Sequence, residues 1–361
     1  MCDVPALRFP GFTEEWNYES LDTIAPNITS GRSKPSLGEY NLYGSTGIIG
    51  KTATADYSGD MLLVARVGAN AGSLQLVNDS CGITDNTLII KPCKLSSHYL
   101  YFYLQHYNLN RLVFGSGQPL ITAGMLKKVR IPFGNQLEQK KIENFLCCID
   151  ERITTQNKII EKYESLIKGI VELAFNHAAT SNTLGCYITQ ISQRNKTGKD
   201  LPVLSVSNKH GFVEQSEQFE DRIIASDDTS NYKMVSINDF AFNPARINVG
   251  SIARLKDKER GIVSPMYICF RTLKDILPEY LELFFKTFTF SSEVRKRLEG
   301  SVRLCLSYES LCEIVIPVIS IKEQQSLVKM VTAFYSKLKV EKGFLRSYQL
   351  QKQYLLSQML I

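Results

Sequence analysis

Two short stretches carry residue types at a spacing that could act on a phosphate or a base. Ser45-Thr46-Gly47-Ile48-Ile49-Gly50-Lys51-Thr52 ends in Gly-Lys-Thr, as a phosphate-binding P-loop does. That loop needs glycine where Ser45 stands, and a hydrophobic strand ending in an acidic magnesium ligand, which is not evident here. A glycine-rich surface turn is the better reading. Asn243-Pro244-Ala245-Arg246 follows the apolar Phe240-Ala241-Phe242. In enzymes that methylate base amino groups, an Asn-Pro-Pro-aromatic run offers a prolyl carbonyl to the amino group and a ring to stack on the flipped base. Here the second proline is alanine and the aromatic is arginine, and no glycine-rich cofactor loop after a strand precedes it. The four histidines, at 98, 106, 177 and 210, form no Ser/His/Asp grouping. The nine cysteines include no C-x-x-C pair, Cys147 and Cys148 being adjacent, and no zinc pattern can be assembled. The reading is of a chain that does no chemistry and holds no metal or cofactor of its own.

Bulk properties narrow the partners. A length of 361 residues suits two or three domains. The net charge of +6, from 42 Lys+Arg against 36 Asp+Glu, is compatible with nucleic acid without being a basic tail. An ordinary soluble protein would carry the same balance. Met1-Cys2-Asp3-Val4-Pro5 lacks a signal-peptide layout, and no run approaches the roughly 18 apolar residues of a membrane span. Reduced cysteines and a cytoplasmic location are expected.

The element that must position any site is a repeat. Gly115-Ser116, Leu126, Val129, Ile131-Pro132 and Glu138-Gln139 recur 185 residues later as Gly300-Ser301, Leu311, Ile314, Ile316-Pro317 and Glu323-Gln324. Each copy leads into an apolar seam with steps of four and three, the heptad signature of a helix packed on a helix. The first seam is Ile142, Leu146, Ile149, Ile153, Gln156, Ile160, Tyr163, Ile167, Ile170, Ala174; the second is Leu327, Val331, Phe334, Leu338, Glu341, Leu345, Tyr348, Lys352, Leu355, Met359. The polar interruptions Gln156 and Glu341 occupy equivalent positions. A seam of this length spans about 50 Å, and the economical partner for each helix is the other. Packing of each helix on its own domain is the alternative. A repeat of this size fixes architecture. It predicts domains at 1–135 and 179–320 with spacer helices at 136–178 and 321–361, the helices antiparallel and the domains related by a pseudo-two-fold axis. Gln156 and Glu341 should then lie near the crossing point.

The domains read as mixed α/β, an α+β arrangement. Met61 to Val67, Thr87 to Ile90, Asp239 to Phe242 and Met266 to Phe270 are strand-like, and aromatic helices are expected at Tyr99 to Tyr107 and Tyr280 to Phe288. Val67 to Ser73 is a glycine-rich loop. Gly82-Ile83 echoes Gly261-Ile262, and Tyr99-Leu100 echoes Tyr280-Leu281, while the polar loops between them differ.

In this order, duplicated, the pieces resemble the specificity subunit of type I restriction–modification systems over essentially the whole chain. Leu7-Arg8-Phe9-Pro10-Gly11-Phe12, Trp16 and Leu21-Asp22-Thr23-Ile24-Ala25 are similar to its N-terminal entry. Tyr43 to Gly50, Val64 to Gly68 and Ile83 to Asn86 are similar to its target-recognition domains, and the Ile-Pro exits followed by Glu-Gln and a helix to its conserved spacers. The resemblance implies that each domain reads half of a split site in double-stranded DNA. It implies that the helices set the distance between halves and bind two modification subunits. Those would carry S-adenosylmethionine, and restriction subunits joining the complex would bring ATP- and magnesium-dependent translocation and cleavage. A two-headed coiled-coil module that binds proteins or glycans is the competing reading.

Bases are read by Arg or Lys at guanine and Asn or Gln at adenine; phosphates are held by Lys, Arg, Ser and Thr. The candidates are Arg32, Ser33, Lys34, Ser45, Thr46, Lys51, Asn70, Ser116 and Gln118 in the first domain. In the second they are Ser207, Asn208, Lys209, Arg246, Asn248, Ser301 and Arg303. Gly115-Ser116-Gly117-Gln118 is favoured as a group, since glycine allows close backbone approach. Arg303, in its repeat partner, is expected to hold a phosphate.

Overall fold

The computed structural model describes residues 4–113, 119–176, 180–196, 201–215, 229–300 and 304–361. Contacts divide the chain into one unit of Met1–Lys158 with Lys342–Ile361 and a second of Ile159–Glu341.

In the first unit, β1 (Asn17–Ser20) leads into the one-turn α1 (Leu21–Ile24). Strands β2 (Thr29–Ser30), β5 (Asp60–Ala65), β6 (Leu74–Asn78) and β8 (Thr87–Ile90) form a four-stranded antiparallel sheet in the order β2-β8-β5-β6. A second sheet, β4-β3-β7, joins the hairpin of β3 (Tyr40–Gly44) and β4 (Gly47–Thr52) to β7 (Cys81–Ile83), which runs parallel to β3. Every residue of Met61–Ala65 is buried, because β5 is covered on both faces. Leu62 and Val64 point into the main core, with Tyr99, Phe102 and Leu104 of α2 (Ser97–Tyr107); Met61 and Leu63 point into a smaller core with Cys81 and Ile83. After α3 (Ala123–Lys127), β9 (Arg130–Phe133) pairs antiparallel with β1 and delivers the chain to the long helix α4 (Gln136–Asn176).

The second unit repeats this plan. β10 (Thr180–Thr183) pairs with β19 (Val315–Val318) as β1 does with β9. The antiparallel sheet is β11-β18-β15-β16: Ile188–Ile191, Ile268–Thr272, Phe240–Phe242 and Ile252–Arg254. The other sheet has β12 (Val203–Ser207) between its hairpin partner β13 (Gly211–Glu214) and the parallel β17 (Arg260–Val263), plus an added edge strand β14 (Lys233–Ser236). The echo of Gly82-Ile83 in Gly261-Ile262 therefore lies in the two parallel strands. The aromatic helix expected through Phe288 is two helices, α5 (Pro278–Phe284) and α6 (Phe288–Lys296). Thr287 divides them: its hydroxyl donates back to Phe284 O at 2.7 Å and accepts from Phe290 N at 3.1 Å. Then α7 (Tyr308–Cys312) and β19 lead to α8 (Ile321–Met359).

Both long helices start alike. Asn135 Oδ1 accepts from Glu138 N, and Ser320 Oγ from Glu323 N, while Glu323 returns to Ser320 N as a capping box. Gln139 and Gln324 each donate to the carbonyl five residues back, Gly134 and Ile319, at 2.8 and 2.9 Å. The repeated Glu-Gln is thus helix-starting chemistry. The Tyr99 hydroxyl donates to Pro132 O at 3.0 Å and the Tyr280 hydroxyl to Pro317 O at 2.8 Å, tying each aromatic helix to its Ile-Pro strand. The first unit adds a buried clamp: Glu138 accepts two bonds from the Arg8 guanidinium, both 2.7 Å, and one from Trp16 Nε1 at 2.9 Å.

Within each unit the two long helices pack antiparallel. In the first, Asp150 pairs with Lys352 at 2.6 Å, Arg152 lies over the Tyr348 ring, and Ile142, Leu146 and Ile149 share a core with Leu355, Leu356, Met359 and Leu360. In the second, the Tyr163 and Phe334 rings meet at 6.3 Å. The seam residues are all buried or half-buried. Towards each C-terminus the buried stripe moves on by one position, to Val171 and Phe175 in α4 and Leu356 and Leu360 in α8. A helix of 3.6 residues per turn drifts off a 3.5-residue seam, and Phe175 turns to Tyr280 and Phe284 of its own domain, with centroids at 4.7 and 5.3 Å. Gln156 and Glu341 are buried, and fall in different units.

Candidate nucleic-acid interface

Corresponding strands put candidates from the two units at corresponding places. The turn of the β3–β4 hairpin carries Ser45, half-buried, and Thr46, exposed; that of β12–β13 carries exposed Asn208 and Lys209. Glycines close both turns in the left-handed region, Gly47 at φ +109° and Gly211 at φ +72°. In the second turn Ser207 Oγ accepts from the N–H groups of Lys209 and His210 at 3.3 and 3.4 Å, which aims the side chains of the tip outward.

The connection between the middle strands of the antiparallel sheet repeats too. A short 3₁₀ turn follows β5 at Gly68–Asn70 and β15 at Ile247–Val249. Arg66 O accepts from Ile121 N at 2.9 Å, and Pro244 O from Leu306 N at 3.1 Å. Gly72 and Gly250 end the two connections at φ +89° and +90°. That register places Asn70 opposite Asn248, both exposed, and exposed Arg246 opposite Gly68. In the second unit the hairpin tip touches this connection, since a Cβ on Gly250 would lie 3.7 Å from Asn208 Cβ. Asn208, Lys209, Arg246 and Asn248 therefore share one surface.

Beside that tip is an open cavity of about 420 Å³ lined by Lys209, His210, Arg254, Lys256, Lys258 and Lys286 over Phe240 and Phe285. Two acids, Asp257 and Glu282, also line it; Glu282 accepts from Arg254 at 3.0 Å and pairs with Lys256 and Lys286. Burial pushes the Glu282 carboxyl up, but the three cations together outweigh it and hold it below the usual carboxylate range.

Lys51 is engaged elsewhere: its ammonium donates to Glu39 O at 3.0 Å and Asn41 Oδ1 at 2.9 Å, bracing the base of the hairpin. The segment from Ser45 to Thr52 is a hairpin turn and strand, not the strand-to-helix loop of a P-loop. Asn243 to Arg246 is likewise a strand exit held by Ser251 N donating to Arg246 O and Ala245 N to Asn243 Oδ1, both at 3.1 Å. Ser116, Gln118, Ser301 and Arg303 lie outside the described residues.

Arg32 and Lys34 are exposed on either side of buried Ser33, whose hydroxyl donates to Asp56. The sequence reading missed their counterparts in the second unit, Arg194 and Lys196, exposed on either side of buried Asn195. The signal is present as Ser30-x-Arg32-x-Lys34 against Ser192-x-Arg194-x-Lys196, at a separation of 162 rather than 185.

Among the described residues no group of His, Cys, Asp or Glu could hold a metal ion, and no helix is long and apolar enough to cross a membrane. Residues 3–165 match the family model of the type I restriction modification DNA specificity domain. Beyond the specificity domain, likeness in fold extends over the whole chain. The type I restriction–modification S subunit from M. genitalium is 19% identical, with a TM-score of 0.64 and 99% of each chain covered. A chain from a structure concerning complex assembly and conformational transition of the type I R-M system is 14% identical, with a TM-score of 0.55 and 98% of each chain covered. No curated protein matches the sequence. The second unit repeats the strand order of the first with β14 added, and its long helix starts with the same glutamine bond.

Proposed function

We propose that this chain is the specificity subunit of a type I restriction–modification enzyme, reading a bipartite site in double-stranded DNA with one half assigned to each unit. The observation that carries this is the pairing of a constant scaffold with variable tips. Strand order, Ile-Pro strands and helix starts agree, whereas residues at equivalent positions of the tips differ, Ser45 and Thr46 against Asn208 and Lys209 and Gly68 against Arg246, while Asn70 and Asn248 agree. Two readers on one scaffold with different contact residues suit two different half-sites. Asn208 and Arg246 carry the side-chain donors and acceptors that pair with adenine and guanine edges in the major groove.

The long helices set the distance between the halves and offer the surface on which two modification subunits assemble; restriction and translocase subunits join through that complex. The chain does no chemistry. S-adenosylmethionine, ATP and magnesium belong to the partner subunits, and the assembly works in the cytoplasm. The test exchanges residues 1–135 for the corresponding domain of a relative and maps methylated sequence in a genome carrying the assembled enzyme. One half of the methylated site should change and the other stay. A change in both halves, or no methylation dependent on this chain, overturns the reading.

A further inference from the structure

The two units differ where they would read sequence, so residues that agree between them at exposed positions ask for a target common to both halves. Arg32 with Lys34, and Arg194 with Lys196, are such residues. Each pair extends the edge strand that follows the β1 or β10 entry. Gly31 N donates to Thr87 O of one sheet and Ser33 N to Ile83 O of the other, at 3.0 and 2.9 Å, so this segment is extended as it crosses between sheets. In the second unit Asn195 N donates to Tyr232 O at 2.9 Å and Met234 N to Gln193 O at 2.8 Å, the same extended course against the added strand β14. Burial of the middle residue turns both cations of each pair outward on one face, about 7 Å apart at roughly 3.3 Å per residue.

These charges are uncompensated. Arg8, Arg254, Arg271 and Arg297 all sit on carboxylates. Among the described residues, Arg32, Lys34 and Lys196 make no ion pair, and Arg194 has only the neutral Asn231 Oδ1 at 3.1 Å. What two unrelated half-sites share is the sugar–phosphate backbone, which is contacted without regard to sequence.

We propose that Arg32 with Lys34, and Arg194 with Lys196, are two equivalent phosphate clamps that dock each unit on the DNA backbone and set its register without reading bases. This rests on the DNA-reading role proposed above. The test measures binding of the full chain to random-sequence duplex DNA against salt, with Arg32→Gln/Lys34→Gln and Arg194→Gln/Lys196→Gln compared with the unaltered chain. At about 0.9 per phosphate neutralised, each double variant should lower the slope of log affinity against log salt by about 1.8, and the quadruple variant by about 3.6. Arg32→Lys and Arg194→Lys, which keep the charge, should leave the slope in place, and the methylated sequence in cells should be the same for every variant. An unchanged slope in either double variant overturns the clamp, as does a changed base preference, which would make these residues readers. Failure of the unaltered chain to bind duplex DNA at any salt would sink the DNA-reading role itself, a separate result.

Discussion

Arg8 stands where its loss would strand a buried charge. Glu138 is 1% exposed, and its side chain accepts hydrogen bonds from Arg8 and Trp16. Among the described residues Arg8→Ala leaves Trp16 as the one side-chain donor to that carboxylate, and removal of one partner of a buried pair costs about 3–5 kcal/mol. Urea unfolding followed by tryptophan fluorescence should register it, because Trp16 is the single tryptophan and sits in the clamp. Glu282 makes a pH prediction with a definite sign. Its carboxyl lies below the unfolded value of about 4.3, so its contribution is complete above that pH and is lost as pH falls through the folded value. The melting temperature of the second unit should decline on acidification, and Glu282→Gln should flatten that decline. A variant that follows the original profile would remove Glu282 as the cause.

At the scale of elements, Tyr99 and Tyr280 do the same work in α2 and α5. Tyr99→Phe and Tyr280→Phe each remove one donor to a prolyl carbonyl and should cost about 1 kcal/mol apiece, with additive effects because they lie in different cores. Thermal melts of both single variants and the double variant check this. The elements that repeat with strict spacing were legible in the sequence. The Ile-Pro strands, the Glu-Gln helix starts and the seams hold one separation of 185 because nothing is inserted among them. The equivalence of Asn70 with Asn248, at 178, and of Arg32 with Arg194, at 162, was not. Loops of unequal length and the extra strand β14 shift the register between sheets, and hydrogen-bond partners rather than spacing restore it. The parallel pairing of β3 with β7 was hidden for a similar reason, since it joins residues some forty positions apart. The placement of Ser45 and Thr46 at a hairpin tip required knowing that their glycines turn the chain back on itself.

For the whole molecule, the length of the helices is the variable that matters to the proposed function. Adding one turn to α4 and a matching turn to α8 should widen the gap between the half-sites while both halves keep their bases. Methylation mapping in cells reads both quantities at once. A changed half-site sequence would mean that the helices influence reading as well as spacing.

The division of the chain has a consequence for how it is made. The first unit takes Lys342–Ile361 from beyond the whole of the second, and Leu355, Leu356, Met359 and Leu360 close the core that Leu21, Tyr99 and Leu146 begin. A ribosome therefore emits the whole of the second unit before the first can be finished. The first unit must wait, with an open apolar face, while Ile159–Glu341 is translated. A premature stop after Glu341 would spare the later-made unit and cripple the earlier one. In pulse proteolysis of such a truncated chain, Ile159–Glu341 should survive longer than the segment synthesised before it.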